Sequence, residues 1–523
     1  MKFQSSYKTI FVKFFVMTLF AATTMPVGVL AQNSSTPNLK AKHHHYKLVD
    51  IGTLGGPNSF LSGPNAKILN NRGTFAAYAE TATRNPNANC AIPFNANGGG
   101  GDCFVEHAVL WNADGLTDLE LLPGGTNGQT GSISDSGLVS GFSENGLLDP
   151  LTGLPIGRPV LWTRQGKVID LGAVPGGIQG LATAVNNRGQ VIGFSDNGVP
   201  DAFSMTGLPT QTRAFLWQDG AIRDLGTLGG TDAIPFYLNE RGQIAGVAYT
   251  DANASINCGF PLTTHPFFWE RGKMLDIGTL GGTCAVSNWM NNRGQVVGYS
   301  GFAGDQTSSA FLWDKEHGLK DLGLLPGGLF GGANWINDEG ETVGGSDGGT
   351  FFHAVLWKEG ATVDLGTVYG ETCSDAYSIN SKGQVVGFAS ADCNYEDHAF
   401  LWENGSIVDV NALVSPASSL TVTNAFDIND SGEIAGYAPL ANGDEHAVLL
   451  IPCDENHPHL EGCNYQPVES DETAQLAAAP ARLALAPAAS SAINLSRADL
   501  ASRAHSMMTR QNRGLAQAPT SHK

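Results

Sequence analysis

The sequence predicts an all-β fold, an eight-bladed β-propeller of four-stranded blades, and three observations predict it. A composite motif recurs about eight times, each copy carries four short strand signals, and the first and last copies are incomplete in complementary ways. Periods of roughly 40 to 50 residues with four strands per unit mark propeller blades.

Within a unit the first strand is an apolar run ending at a turn. The turn is Asn70-Asn71-Arg72-Gly73, repeated at 186–189, 239–242, 291–294, 337–340, 380–383 and 429–432, with Ser134 the variant at its first position. Asn bonds its own backbone in such turns and Gly takes the left-handed position, so each copy predicts a tight hairpin. The second strand follows as a "QVVGFS"-like run and the third as a "HAFLW"-like run. The third run carries one register of tryptophans, Trp111, Trp162, Trp217, Trp269, Trp313, Trp357 and Trp402, spaced about 44 to 55 residues apart. The eighth copy reads His446 to Ile451, with an aliphatic residue in the aromatic slot. The fourth strand enters "DLG", and its aspartate is present every time: Asp50, Asp118, Asp170, Asp224, Asp276, Asp321, Asp364 and Asp409. β-branched and aromatic runs between turn signals support all four strands.

The chain starts with a lone fourth-strand element, Tyr46 to Gly52, and its last copy ends at the third strand. A ring in which residues 46–51 complete the last blade hides both sheet edges. The count is therefore eight, with seven the alternative if the diverged unit around Ser134 is not a blade.

The repeats occupy 46–452 of 523 residues, preceded by a linker at 32–45 and followed by an Ala/Pro/Ser-rich tail at 453–523 expected to be disordered, with one short helix over Arg497 to Met508. Residues 1–31 carry Lys2, Lys8 and Lys13, an apolar run from Phe14 to Ala22, and Val29 and Ala31, the pattern of a secretory signal peptide cut after Ala31. Loss of three lysines takes the formal charge from −20 to about −23. That charge disfavours nucleic acid and anionic membranes and leaves a neutral polymer or a cationic partner. No later segment is apolar enough to span a bilayer, so an extracellular location and a monomer are expected.

Eight cysteines in an exported chain are expected to pair. Neighbour pairing gives Cys90–Cys103, Cys258–Cys284, Cys373–Cys393 and Cys453–Cys463. A propeller brings the middle two pairs onto one rim, where the loops after "QVVG" and after "DLGTLGG" both emerge. Zinc is disfavoured because no CxxC pair exists.

The strings "AFLWQDGAIRDLGTLGG" (214–230), "NNRGQVVGYS" (291–300) and "HAFLWENGSIVDV" (398–410) resemble the extracellular HAF repeat family, named for His-Ala-Phe. The resemblance covers about four fifths of the mature chain. It implies exported bacterial proteins of β-propeller type with no settled activity. Departures are Arg158, Arg213 and Ser309 at the His position and Asn411 to Val414 in place of "GTLG".

His107, His353, His398 and His446 share one repeat position, and with the aspartates they are expected to form a buried polar network bracing strands and turns. Equivalent positions spread around a ring rather than gather at one site. The register tryptophans are expected between neighbouring sheets, as is core packing for the off-register Trp289 and Trp335. His43, His44 and His45 read as a solvated linker, and no metal or cofactor is expected. The long polar loops Glu80 to Glu106, Ser143 to Gly157, Asp196 to Thr212 and Thr250 to Thr264 lie on one rim, the face through which repeat proteins bind. The loop held by Cys90 and Cys103 is the foremost candidate.

No phosphate loop, HExxH or GxSxG occurs. The function expected is a non-catalytic binding module for a surface protein or polysaccharide. The alternative is a polysaccharide hydrolase or lyase using loop carboxylates such as Asp201, Asp251 or Asp305, which would have to converge within about 5 to 10 Å.

Overall fold

The structure, a computed structural model, describes residues 42–63, 66–87, 103–254, 260–393 and 397–469. The expected signal peptide, the residues flanking Cys90, the neighbourhood of Cys258 and the tail beyond residue 469 lie outside the described residues. Among those described the chain is all-β, with antiparallel four-stranded units and no α-helix.

Each unit follows sequence order. In the third, Gly180–Val185 pairs with Val191–Pro200, which pairs with Thr210–Gln218, which pairs with Ala221–Asp224. The diverged second unit has the same four strands, Gly128–Ile133, Val139–Leu148, Pro155–Trp162 and Val168–Asp170. Tyr46–Asp50 completes the last sheet by pairing antiparallel with Glu445–Pro452. The sheet edge left by the missing fourth strand is therefore filled from the opposite end of the chain.

A bulge shapes the first strand of most units. Pairing skips Thr183, Phe236, Asn288, Asn334, Tyr377 and Phe426. Opposite each bulge sits the glycine of the "VVG" run. A Cβ at Gly193, Gly298 or Gly387 would lie 1.9 to 2.1 Å from a first-strand carbonyl oxygen, which no real side chain tolerates. The recurring glycine is thus the footprint of the bulge in the sequence.

The bulges also aim side chains at the next unit. Asn288 Nδ2 donates to Ala333 O at 3.0 Å and Thr183 Oγ1 to Pro235 O at 2.9 Å. A second set of links runs through the turn asparagines. Asn186 donates to Asn239 O, Asn239 to Asn291 O, Asn291 to Asn337 O, Asn337 to Asn380 O, Asn380 to Asn429 O, and Asn429 to Asn70 O, all at 2.9 to 3.2 Å. Asn70 donates to Ser134 O at 3.2 Å. At Ser134 the shorter side chain turns back to Ser136 and Leu138, and Asn187 bonds Ser136 N instead.

Apolar packing joins consecutive sheets. Leu216 and Leu225 of the third unit cluster with Phe267 and Trp269 of the fourth, and Leu325 of the fifth with Val355 and Trp357 of the sixth. Trp162, Trp269, Trp313 and Trp357 are buried, Trp162 completely, whereas Trp111, Trp217 and Trp402 are half-buried.

The segment before the first repeat strand differs from the solvated linker expected. Lys42–His43 pairs with Val468–Glu469, and His43 is buried with Nδ1 2.9 Å from Glu403 Oε1. The carboxylate compensates the buried imidazole, which a polar-tail reading of three histidines does not anticipate.

Candidate functional site

The first strands end at the asparagine turns, and their ends enclose a cavity of about 250 Å³. Its wall includes Tyr237, Trp289 and Trp335. Trp289 and Trp335 stack with ring centroids 3.3 Å apart and planes 17° from parallel, and Tyr237 meets Trp289 at 4.8 Å. Trp289 is half-buried and Trp335 is 8 % exposed, so the pair is cavity wall as well as core. The bulge after Ser287 and after Ala333 turns these residues inward.

Polar groups surround that wall. Asp427 accepts from Ile68 N and Leu69 N, both at 3.1 Å, and from Ser378 Oγ at 3.2 Å. Burial pushes its carboxyl up to about 6. At the mouth, carboxylates at the second turn position accept backbone N–H groups from the preceding turn: Asp135 from Asn71, Glu240 from Asn187, Asp338 from Asn292 and Asp430 from Ser381. Lys67 pairs with Asp135 at 2.8 Å. The mouth is acidic and rich in amides, which suits a neutral polar or cationic group.

This cavity lies at the turn end, opposite the rim of long loops. Among the loop carboxylates expected to act together, Asp251 accepts from Asn253 N and Nδ2, and Asp305 from Thr283 N and Oγ1. Asp251 is occupied by its own loop and Asp305 by the first strand of its unit. Asp201 instead approaches Asp232 beneath the loop at 201–209.

Sequence reading missed a column of carboxylates in the second strand, just after its glycine-containing run. Glu144 accepts from Asn127 N and Nδ2, Asp196 from Ile178 N and Gln179 N, and Asp347 from Leu329 N and Phe330 N. They clamp the loop that enters the same unit's first strand. Burial raises the carboxyls of Glu144 and Asp196. Aligning the repeats at "VVGFSD" exposes this column.

The repeat histidines pair with fourth-strand aspartates: His107 with Asp118 at 3.0 Å, His353 with Asp364 at 2.9 Å, and His446 with Asp50 at 2.9 Å. His265 with Asp276 is a further pair that sequence reading overlooked. Arg158–Asp170, Arg213–Asp224 and Ser309–Asp321 fill the same place. The expected network is only half-buried, with Asp118 48 % and Asp170 42 % exposed, because the third and fourth strands form the open side of each sheet. Asp170, Asp224, Asp276, Asp321 and Asp364 also accept the N–H of the glycine two residues on, bracing the turn.

The seventh unit departs from this pattern. His398 Nδ1 bonds Glu371 Oε1 at 2.8 Å, Tyr369 OH donates to Asp409 at 2.8 Å, and the Tyr369 and His398 rings meet edge to face at 5.1 Å. Glu371 Oε2 is buried without a partner. Burial, with the charges of Asp397 and Asp409, raises the Glu371 carboxyl. Burial opposes charge on His398, but the bond and charge of Glu371 prevail and raise it.

The disulfides Cys373–Cys393 and Cys453–Cys463 are formed as expected, and Cys103 and Cys284 are also disulfide-bonded. Cys90 and Cys258 lie outside the described residues, and with Cys90 most of the loop expected to lead the binding face. No helix among the described residues is long and apolar enough to cross a membrane.

No protein-family model matches the chain, and no curated protein matches its sequence. Among solved structures it is similar to the β-propeller domain of the Trilobed protease from Pyrococcus furiosus, at 10% identity and a TM-score of 0.38 over 70% of this chain and 95% of that one. It is similar to a puromycin-hydrolyzing peptidase of Mycobacterium tuberculosis, at 11% identity and a TM-score of 0.38 over 80% of this chain and 56% of the peptidase. A polysaccharide lyase of family PL25, an ulvan lyase, is matched at 12% identity and a TM-score of 0.29 over 79% of this chain and 96% of the lyase. The chain spans little more than half the length of that peptidase, and activity does not follow from likeness of this degree.

Proposed function

We propose that this protein is an exported, closed eight-bladed β-propeller of the HAF repeat type that binds a polysaccharide or a surface protein. The observation that carries the reading is the cavity at the turn end, where Tyr237, Trp289 and Trp335 offer aromatic faces beside a ring of amides and carboxylates. Aromatic faces bind the apolar face of a sugar while amides and carboxylates take its hydroxyls. A volume of about 250 Å³ falls below the roughly 300 to 1,000 Å³ of a drug-sized pocket, so it suits one terminal residue of a longer polymer. Pairing of residues 46–50 with 445–452 and the link from Asn429 to Asn70 support closure of the ring.

A second reading, a hydrolase or lyase acting on extracellular polysaccharide, is favoured by the seventh-unit cluster. There a carboxylate orients an imidazole, leaving its Nε2 for a substrate, beside a tyrosine: the parts of a general acid–base pair. A glycan array and polysaccharide pull-down with disulfide-intact residues 32–523, scoring retention and new chain ends, separates the two. Retention without cleavage, lost in Trp289→Ala, supports the binding module. Cleavage lost in His398→Ala supports the enzyme and overturns the first reading.

A further inference from the structure

The cavity at the turn end is lopsided, and its shape and charge narrow what can fill it. Two residues before the turn, the fourth, fifth and sixth units place Tyr237, Trp289 and Trp335 in the wall, whereas the second and third place Ser132 and Ala184. The small side chains leave open the space that the aromatic ones bound. Tyr237 is 5 % exposed, and its hydroxyl has no hydrogen-bond partner among the described residues. Buried hydroxyls nearly always have one, so this one calls for a polar partner from outside the chain.

The charge beside that wall is set by the second turn position, which alternates from unit to unit. It is acidic at Asp135, Glu240, Asp338 and Asp430, and amide or hydroxyl at Asn71, Asn187, Asn292 and Ser381. Each carboxylate accepts a backbone N–H of the preceding turn, a neutral donor that fixes its place without cancelling its charge. Lys67 offsets Asp135, but Glu240, Asp338 and Asp430 form no ion pair among the described residues. Among the described residues Lys67 is also the only basic side chain of the wall, where Asp427 adds a fifth carboxylate. Glu240 and Asp338 belong to the fourth and sixth units, so they flank the aromatic side chains.

An anionic sugar is repelled by this excess of negative charge, and a neutral one gains little from it. A protonated amine gains from it directly. The amides and hydroxyl between the carboxylates supply partners for sugar hydroxyls, which a lysine side chain does not have. We propose, on the polysaccharide-binding reading, that the cavity takes a sugar residue bearing a free amine, with its ring against Tyr237, Trp289 and Trp335 and its ammonium between Glu240 and Asp338.

The test is calorimetric titration of glucosamine and galactosamine oligosaccharides, each with its amines free and fully N-acetylated, into disulfide-intact residues 32–523 at about pH 6. Acetylation removes the charge and keeps the sugar. One saturable site is expected for the free amines, weakened by salt, lost in Trp289→Ala and about tenfold weaker in the double variant Glu240→Gln, Asp338→Asn. Removing two charges elsewhere, by Asp219→Asn with Asp251→Asn, is expected to leave binding unchanged, which separates a local site from attraction to the net charge. If Trp289→Ala does not fold, the Glu240 and Asp338 double variant, altered only at exposed turn residues, carries the test. Equal or tighter binding of the N-acetylated forms, lost in Trp289→Ala, would overturn the amine and leave the polysaccharide-binding reading standing. Binding of a lysine-rich peptide but of neither sugar form, with the same dependence on Glu240 and Asp338, would overturn it in favour of a protein partner. Binding of none of these probes would overturn it whatever the wider glycan array retains.

Discussion

Replacing Asp427 by asparagine isolates the cost of a buried carboxylate where the last unit meets the first. The side chain is enclosed and bonded to Ile68, Leu69 and Ser378, and its carboxyl is raised from 3.8 to about 6. A raised folded-state value means that the folded protein holds the proton more tightly than the unfolded chain. The stabilisation is therefore full below about pH 3.8 and is lost as pH rises through about 6. Each unit is worth 1.36 kcal/mol, so the ceiling is about 3 kcal/mol, of which about 2 kcal/mol falls between pH 4.5 and 7.5. An asparagine side chain does not titrate. Whatever constant penalty Asp427→Asn carries through altered hydrogen bonds, that penalty should shrink by about 2 kcal/mol on going from pH 4.5 to 7.5. Denaturant unfolding of both proteins at the two pH values measures the difference of differences, in which the constant part cancels. An equal penalty at both pH values would refute the reasoning.

Three further outcomes are expected. Replacing Cys373 and Cys393 by serine opens a 20-residue loop and should lower stability by about 3 kcal/mol in the chain-entropy estimate, read from the denaturant midpoint under non-reducing conditions. Trp162→Ala removes a fully buried side chain whose Nε1 donates to Glu120 O and should cost about 3 to 5 kcal/mol, whereas His107→Ala breaks a half-exposed pair and should cost no more than about 1 kcal/mol. Trp289→Ala should lower retention on the bound polysaccharide at least about tenfold with the circular dichroism of the fold unchanged.

What was legible in the sequence was local and repeated. The Asn-x-x-Gly turns declared themselves because the asparagine must bond its own backbone and the glycine must take a positive φ, as at Gly189 with +76°. The pairing of Tyr46–Asp50 with the last sheet was legible because a fourth-strand sequence stood alone at the start. The bulges were written only as a glycine in the second strand, since their cause is a cross-strand approach. The aromatic wall was half-legible: Trp289 and Trp335 stood out of register, but nothing local said that a bulge would turn them into a cavity. His398 gave no warning of its exchange of Asp409 for Glu371, because the rerouting depends on a loop 27 residues upstream. The approach of Asp201 to Asp232 is likewise tertiary, for each alone reads as an ordinary turn residue.

The proposed ring closure accounts for the cavity, the chain of turn amides and the setting of Asp427, and native-state hydrogen exchange of the disulfide-intact chain tests it directly. The amides that bond Tyr46–Asp50 to Glu445–Pro452 are expected to exchange as slowly as those between the second and third strands of the same unit, opening in one cooperative step with them. Exchange of the 46–50 amides orders of magnitude faster, with Glu445–Pro452 behaving as an unpaired edge, would contradict a closed ring.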